Sequence, residues 1–189
     1  MKTLFLIILF GLSAIAFASP DRVDEQLGGL SGKKAPRIAQ GFLDKGYEKL
    51  ELGDIDGAAK DWENAIKHYD LFKIYYFVIA ENYYDTGKIK KSCHYYLKTA
   101  ESDKHHEQAR MKLGICEMHN KHWQIAINYF NESLALLPNQ ALAYFYLASS
   151  YGILKEHEQA KESLTKALSI NPKLRASINN KSVLYKYVQ

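Results

Sequence analysis

Apolar and polar positions follow one another along the chain with the spacing of α-helices, and this pattern returns every 34 residues. Within each period, apolar residues three and four apart indicate two amphipathic helices separated by a short polar turn. The small residue on the apolar face of the second helix shows the recurrence, at Ala58, Ser92, Ala126, Ala160. A constant period of this length predicts a stack of helix–turn–helix repeats.

Other columns keep the same register without a gap. Four residues after the small position stands a large apolar or aromatic one, at Trp62, Tyr96, Phe130, Leu164. The first helix has a small column of its own, at Gly46, Ala80, Gly114, Ala148. These columns predict four repeats over 38–172, divided as 39–72, 73–106, 107–140 and 141–172. They place first helices near 39–52, 73–86, 107–120 and 141–154, and second helices near 55–68, 89–102, 123–136 and 157–170.

The spacing resembles the tetratricopeptide repeat, a 34-residue helix–turn–helix unit. The last two repeats carry the resemblance best, with Leu113-Gly114 or Leu147-Ala148 in the first helix and a closing Pro138 or Pro172. The resemblance implies an all-α fold, a right-handed superhelical α-solenoid of about four repeats. It also implies a non-catalytic module that holds peptides or partner segments on a concave face lined by first helices.

The ends of the chain differ from the repeats. Residues 1–18 read as a signal peptide, because Lys2 precedes an apolar stretch that ends in an A-x-A site at 16–18. We therefore expect export, most simply to a bacterial periplasm or alternatively by secretion, with no stable membrane span; an uncleaved anchor is the alternative. Residues 19–37 suggest a flexible leader that could fold back onto the repeats. Residues 173–189 are predicted to form a helix that caps the stack.

Composition and motifs narrow the function. Lys and Arg number 25 against 21 Asp and Glu, and the scattered basic residues give no support for nucleic-acid binding. We find no catalytic motif and predict no catalytic residue and no cofactor. The four histidines around the third repeat straddle a whole helix, which argues against a metal site; they are His105, His106, His119, His122.

First-helix positions outside the packing columns form a mostly apolar, aromatic stripe. Because a large apolar stripe on a surface marks an interaction site, we expect a protein or peptide partner with apolar side chains, oriented by Glu81 or Lys112. Self-association, or cover by the leader, is the alternative. The predicted groove residues are Leu43, Tyr47, Phe77, Glu81, Tyr84, Met111, Lys112, Ile115, Met118, Phe145.

Some members of the resembled family grip the terminal carboxylate of a partner with Lys and Asn. The corresponding positions of this chain offer little of that chemistry, with Lys112 as the lone cation beside Leu43, Tyr47, Val78, Tyr146. Binding of an acidic C-terminal tail in that manner is therefore disfavoured.

Cys93 and Cys116 are expected to face the seam between a second helix and the next first helix. In an oxidising compartment a disulfide between them is plausible, and two buried thiols are the alternative. Without a paired C-x-x-C motif the cysteines do not suggest zinc. The sequence thus favours a protein-interaction scaffold. A self-assembling structural subunit is the main alternative, and an accessory enzyme with an unrecognised site is a more remote one.

Overall fold

A computed structural model describes residues 35–188, in which all regular secondary structure is helical. The predicted signal peptide and most of the predicted leader, up to residue 34, lie outside the described residues. The α-helices of the described range are α1 Arg37–Glu51, α2 Ile55–His68, α3 Tyr75–Asp85, α4 Ile89–Ser102, α5 Glu107–His119, α6 Trp123–Leu136, α7 Ala141–Ile153 and α8 His157–Ile170. Short 3-10 helices cover Asp70–Ile74, Pro172–Ser177 and Tyr185–Tyr187. The all-α prediction is confirmed.

The second helix of every repeat occupies the predicted range, while the first helices shift by one or two residues. Helix α1 begins at Arg37, directly after Pro36, instead of at 39. Helix α3 begins at Tyr75 instead of 73, because a 3-10 helix over Asp70–Ile74 leads into it. The 34-residue register therefore determines where the helices lie.

Each first helix ends in the same turn. The second residue after the helix has a positive φ in all four repeats, at Gly53, Gly87, Lys121, Lys155. The next N–H then reaches back to the carbonyl five residues earlier, at 2.9 Å for Asp54 to Lys49 and for His122 to Glu117. This left-handed cap favours glycine, so the lysines of the last two repeats occupy a conformation that costs them energy.

The chain divides into two compact units, unit 1 up to Thr99 and unit 2 from Ala100. In unit 1 the Trp62 ring lies over Gly46, where an added Cβ would collide with the indole. In unit 2 the Phe130 ring lies over Gly114 in the same way, and a Cβ there would stand 2.5 Å from the ring. The small residue in this column of the first helix therefore leaves room for the large side chain of the second helix in the same repeat.

The closing segment, residues 173–188 of the described range, does not have the predicted conformation. The predicted capping helix over 173–189 does not form as an α-helix, since two 3-10 helices joined by turns take its place. The Asn179 side chain accepts a hydrogen bond from the Lys181 N–H at 2.9 Å, and short polar side chains of this kind compete with helical backbone bonding. The segment still covers the last repeat, because Ile178 and Leu184 pack against Ala148 in a buried cluster.

Candidate functional site

In unit 2 the predicted groove residues of α5 form one apolar stripe. Met111, Ile115 and Met118 stand at positions i, i+4 and i+7, which places them on one side of the helix. All three are half-buried and pack against the core cluster that α6 and α7 build around Phe130 and Leu147. We call these three residues the α5 face. Its side chains are positioned by the core while part of each remains at the surface.

Two other predicted residues of unit 2 border this region. Lys112 follows Met111 on α5 and is half-buried. Phe145 of α7 is half-buried as well, but it packs against the cluster that Leu184 of the closing segment forms with Leu164 of α8. Phe145 is therefore partly occupied within its own unit and is a weaker candidate for contact than the α5 face.

In unit 1 the predicted residues of α3 surround a buried tyrosine. Phe77, Glu81 and Tyr84 repeat the i, i+4, i+7 spacing, and all are half-buried. The ring centroid of Tyr96 on α4 lies 5.8 Å from that of Phe77 and 6.5 Å from that of Tyr84. The Tyr96 hydroxyl donates a hydrogen bond to the Glu81 carboxylate. We call Phe77, Glu81 and Tyr84 the α3 face.

The pKa of Tyr96 is raised, first by burial and second by the neighbouring Glu81 carboxylate. The hydroxyl therefore stays protonated and remains a donor across the physiological range. This bond fixes Glu81 in the middle of the α3 face. The sequence pattern assigned Tyr96 to the packing column, but it did not predict that the Tyr96 hydroxyl would bond to Glu81, a predicted groove residue.

Two predicted groove residues belong to the core of unit 1 instead. Leu43 is only 2% exposed, and its carbonyl accepts a hydrogen bond from the Trp62 indole N–H at 3.3 Å. Tyr47 is half-buried, contacts the Trp62 ring edge-on and shares a 3.0 Å hydroxyl–hydroxyl hydrogen bond with Tyr75. The reason is the size of Trp62, which covers this turn of α1. Leu43 is therefore not a groove residue.

A charged cluster that the sequence did not reveal lies on the second-helix side of unit 1. Asp56 accepts hydrogen bonds from the Tyr83 hydroxyl at 2.7 Å and from the amines of Lys88 and Lys91 at 3.1 and 2.6 Å. Hydrogen bonds from Lys91 first, then Tyr83 and Lys88, hold the pKa of the Asp56 carboxyl well below its usual range.

A second ion pair shows which feature of the sequence would have predicted these contacts. Glu63 of α2 pairs with Lys98 of α4 at 2.8 Å, just as Asp56 pairs with Lys91. In both pairs the base follows the acid by 35 residues, one repeat period plus one. Opposite charges at this offset would have predicted contacts between successive second helices.

The two repeats that lack tyrosine at the end of the first helix compensate with charge. Lys49 pairs with the nearly buried Asp61 at 2.6 Å, and this hydrogen bond is the main cause that raises the pKa of Lys49. Glu117 pairs with the His122 ring at 2.8 Å. Tyr83 fills the same column in the second repeat and donates to Asp56. The first two contacts each lie within one repeat, and the contact of Tyr83 with Asp56 joins the first repeat to the second.

Both cysteines are disulfide-bonded, and no free cysteine occurs in the part of the chain that the structure describes. Cys93 is half-buried on α4, and Cys116 is buried on α5. The pairing of Cys93 with Cys116 was expected from the sequence, and it stays a prediction.

Residues 35–188 contain neither a candidate metal-binding cluster nor a candidate membrane-spanning helix. No group of three or more His, Cys, Asp or Glu side chains in that range could hold a metal ion. Within the same range, no helix combines the length and the apolar character needed to cross a membrane.

Comparison with known proteins agrees with this architecture. The tetratricopeptide repeat family model matches residues 141–174. Small glutamine-rich tetratricopeptide repeat-containing protein 2 of Saccharomyces cerevisiae is 36% identical over 73 residues, which are 39% of this chain and 21% of that protein. The chain therefore corresponds to about a fifth of the length of that curated relative.

Solved structures extend the likeness over more of the chain. A crystal structure of MamA superposes with a TM-score of 0.60 at 27% identity, covering 67% of this chain and 74% of MamA. The first TPR of Spaghetti (RPAP3), bound to the HSP90 peptide SRMEEVD, superposes with a TM-score of 0.52 at 18% identity, covering 61% of this chain and 87% of that one. The second likeness concerns the fold alone.

Proposed function

We propose that this chain, as a tetratricopeptide-repeat protein, is a non-catalytic protein-interaction scaffold whose α5 face binds a partner segment with apolar side chains. The observation that carries the proposal is the α5 face itself. Met111, Ile115 and Met118 are held in place by the core cluster yet only half-buried. A preorganised apolar surface loses little conformational entropy on binding.

The chemistry of the α5 face selects the kind of partner. Two of its three residues are methionines, whose flexible thioether chains adapt to apolar side chains of different shape. An amphipathic helix or an extended segment with Leu, Ile, Phe or Met anchors would bury this surface. Lys112, next to Met111 on the same helix, adds one polar contact at its edge.

The α3 face supports a second, more polar contact of the same partner class. Its Glu81 carboxylate is oriented by the Tyr96 hydroxyl, and the rings of Phe77 and Tyr84 flank it. An acidic peptide such as SRMEEVD, to which the first TPR of Spaghetti is bound in its solved structure, does not suit a face with a carboxylate at its centre. We therefore expect apolar anchors and no preference for acidic peptides.

Selection from a random peptide library displayed on phage tests this proposal. We expect the peptides enriched on the purified protein to carry two or more large apolar residues. A photo-reactive amino acid at position 118 should crosslink to them. The same group at position 125 should not, because Ile125 is an exposed apolar residue of α6 outside the α5 face. Enrichment of acidic peptides, or equal crosslinking at both positions, would contradict the proposal.

We also propose that the protein is exported, because residues 1–18 carry the features of a signal peptide. N-terminal sequencing of the protein from its native cell should then begin at Ser19. An N-terminus at Met1 would refute export by cleavage at this site.

A further inference from the structure

Helix α1 displays an acidic stripe whose carboxylates form no ion pair within the described residues of unit 1. Asp44, Glu48 and Glu51 are exposed at positions i, i+4 and i+7, so their carboxylates line one side of the helix. Like charges at this spacing repel. Asp44 bonds the neutral amide of Gln40, and none of the three carboxylates forms an ion pair with any of residues 35–188.

Other acids of the same repeat behave differently. Asp61 pairs with Lys49, Asp56 with Lys88 and Lys91, and Glu63 with Lys98, at amine–carboxylate distances between 2.6 and 3.1 Å. The sequence therefore supplies lysines where unit 1 needs them for its own packing. The three carboxylates of the α1 stripe have no such partner, and the amine of the exposed Lys45 on the same helix lies 5.8 Å from the centre of the Phe42 ring.

The closing segment has the opposite character. From residue 163 to residue 189 the chain contains five basic residues and no acidic one. Lys166 pairs with Glu162 at 2.8 Å. The other four are exposed and have no carboxylate partner within the described residues; they are Lys173, Arg175, Lys181, Lys186.

Hydrogen bonds of unit 2 hold part of this basic surface together. The Arg175 guanidinium donates to the carbonyl of Val188 at 2.6 Å, which places it near Lys186. The Lys186 amine stands 3.2 Å from the His157 ring nitrogen and 4.9 Å from the centre of the Tyr187 ring. None of these partners is a carboxylate, so the positive charge of the segment is not cancelled.

We propose that the basic closing segment of one molecule binds the acidic α1 stripe of a second copy of this chain. The two surfaces are opposite in sign and nearly equal in number of charges, with four cations facing three carboxylates. Each also carries an exposed apolar residue, Tyr185 beside Lys186 and Leu52, 84% exposed, beside Glu51. The contact joins different patches on the two partners, so it is heterologous and can propagate into rings or filaments.

The proposed contact uses residues other than the α5 face and does not depend on the proposed function. Exposed ion pairs are individually weak and are screened by salt. Self-association should therefore be modest, dependent on concentration and sensitive to ionic strength. Dependence on concentration also distinguishes a second copy from a contact within one chain.

Sedimentation velocity of the purified protein over a range of concentrations tests the contact. We expect association in about 10 mM salt and monomer in about 1 M salt, as the Debye length falls from about 30 Å to about 3 Å. Reversal of the basic surface, Lys173→Glu, Arg175→Glu, Lys181→Glu and Lys186→Glu, should give a monomer at low salt. Reversal of the stripe, Asp44→Lys, Glu48→Lys and Glu51→Lys, should do the same.

Mixing the two reversed variants is the decisive step. The reversed closing segment of one variant complements the reversed stripe of the other, so the mixture should associate again although each variant alone is monomeric. A control reverses four exposed lysines outside both surfaces and should leave association unchanged; these are Lys60, Lys67, Lys104, Lys121. Far-UV circular dichroism verifies that every variant is folded.

Several outcomes would overturn the inference. The parent protein could remain monomeric in low salt, or association could survive either reversal. The control could dissociate as well, which would make net charge the cause. The mixture of reversed variants could fail to associate while both remain folded. Binding of the monomer to anionic vesicles through the basic segment, without self-association, would assign that surface to a membrane instead.

Discussion

Units 1 and 2 build the same helical plan from different side chains. Unit 1 fills its core with rings, among which Trp62, Tyr75 and Tyr96 are almost wholly buried. In the same column unit 2 has Phe130 and Leu164, and its core is mainly aliphatic. The 34-residue register fixes the backbone positions in both units, and the choice of side chain at each position sets the chemistry.

Buried rings with polar ends require partners, which the aliphatic core of unit 2 does not. The indole of Trp62 donates to the Leu43 carbonyl, and the hydroxyls of Tyr75 and Tyr96 bond to Tyr47 and Glu81. Buried polar groups without partners destabilise a fold. The rings of unit 1 thus account for two predicted groove residues that serve packing, Leu43 and Tyr47, and for one that is fixed in orientation, Glu81.

Alanine substitution of the large residue in the second-helix column should give the largest difference in stability between the units. Trp62→Ala should lower the free energy of unfolding by about 5 kcal/mol, and Leu164→Ala by about 3 kcal/mol, since the larger side chain leaves the larger cavity. Urea denaturation followed by circular dichroism measures both. Equal losses would show that ring size does not distinguish the two cores.

The cysteines provide the next effect. We predict that Cys93 and Cys116 are bonded to each other in the oxidised protein, and that replacing both by serine lowers the free energy of unfolding by about 3 kcal/mol through loss of the crosslink. Iodoacetamide should label neither cysteine before reduction and both afterwards. Labelling of the unreduced, denatured protein would refute the bond.

Steric crowding at Gly46 gives a sharper test of the ring packing. Gly46→Ala should destabilise the protein by about 1–3 kcal/mol, because its Cβ would meet the Trp62 indole. Trp62→Leu in the same chain should remove most of that cost. Gly41, on the same helix, has no atom within 4 Å of an added Cβ, so Gly41→Ala should instead stabilise by about 0.5–1 kcal/mol. Equal effects at the two glycines would exclude crowding as the cause.

The turns after the first helices differ between the units in one residue. Lys155 has a φ of 64° in unit 2, where Gly53 has 78° in unit 1. Lys155→Gly should raise the free energy of unfolding by about 0.5–1 kcal/mol, and Gly53→Ala should lower it by about 1 kcal/mol. Thermal denaturation of both variants tests the sign. A loss of stability in Lys155→Gly would mean that the lysine side chain has a role the turn geometry does not explain.

The smallest effect concerns the exposed Asp56 cluster. Because the pKa of Asp56 is lowered in the folded protein, its contribution to stability is present above the ordinary pKa of an aspartate, about 4, and is lost as the pH falls further. Asp56→Asn should therefore flatten the decline of stability below about pH 4. Urea denaturation over this acid range measures the decline in the parent protein and in the variant, and equal declines would contradict this role of Asp56.

The repeat pattern predicted the fold well because helix positions follow from hydrophobic spacing alone. Second helices such as Ile89–Ser102 begin and end where the register places them. The closing segment escaped prediction because Asn179 and Ser182 form local hydrogen bonds that a periodicity argument ignores. The position of the segment after the last repeat predicted that it caps the stack, but not in which conformation.

The candidate site was predicted only in part, since exposure depends on the neighbours of each residue. Met111, Ile115 and Met118 are half-buried, as a surface groove requires. Leu43 occupies the same column as Met111, yet Trp62 covers it. Phe145 packs against the closing segment. A column in a repeat alignment gives the side of the helix that a residue faces, and only the tertiary structure gives what lies against that side.

Binding of apolar partner segments by the α5 face can be measured as the affinity of one selected peptide for two isoleucine variants. Ile115 lies in the α5 face, while Ile125 is an exposed isoleucine on α6. By fluorescence anisotropy, Ile115→Ala should weaken binding about tenfold, which corresponds to about 1.4 kcal/mol, and Ile125→Ala should leave it unchanged. Equal affinities for the two variants, both folded, would contradict peptide binding at the α5 face.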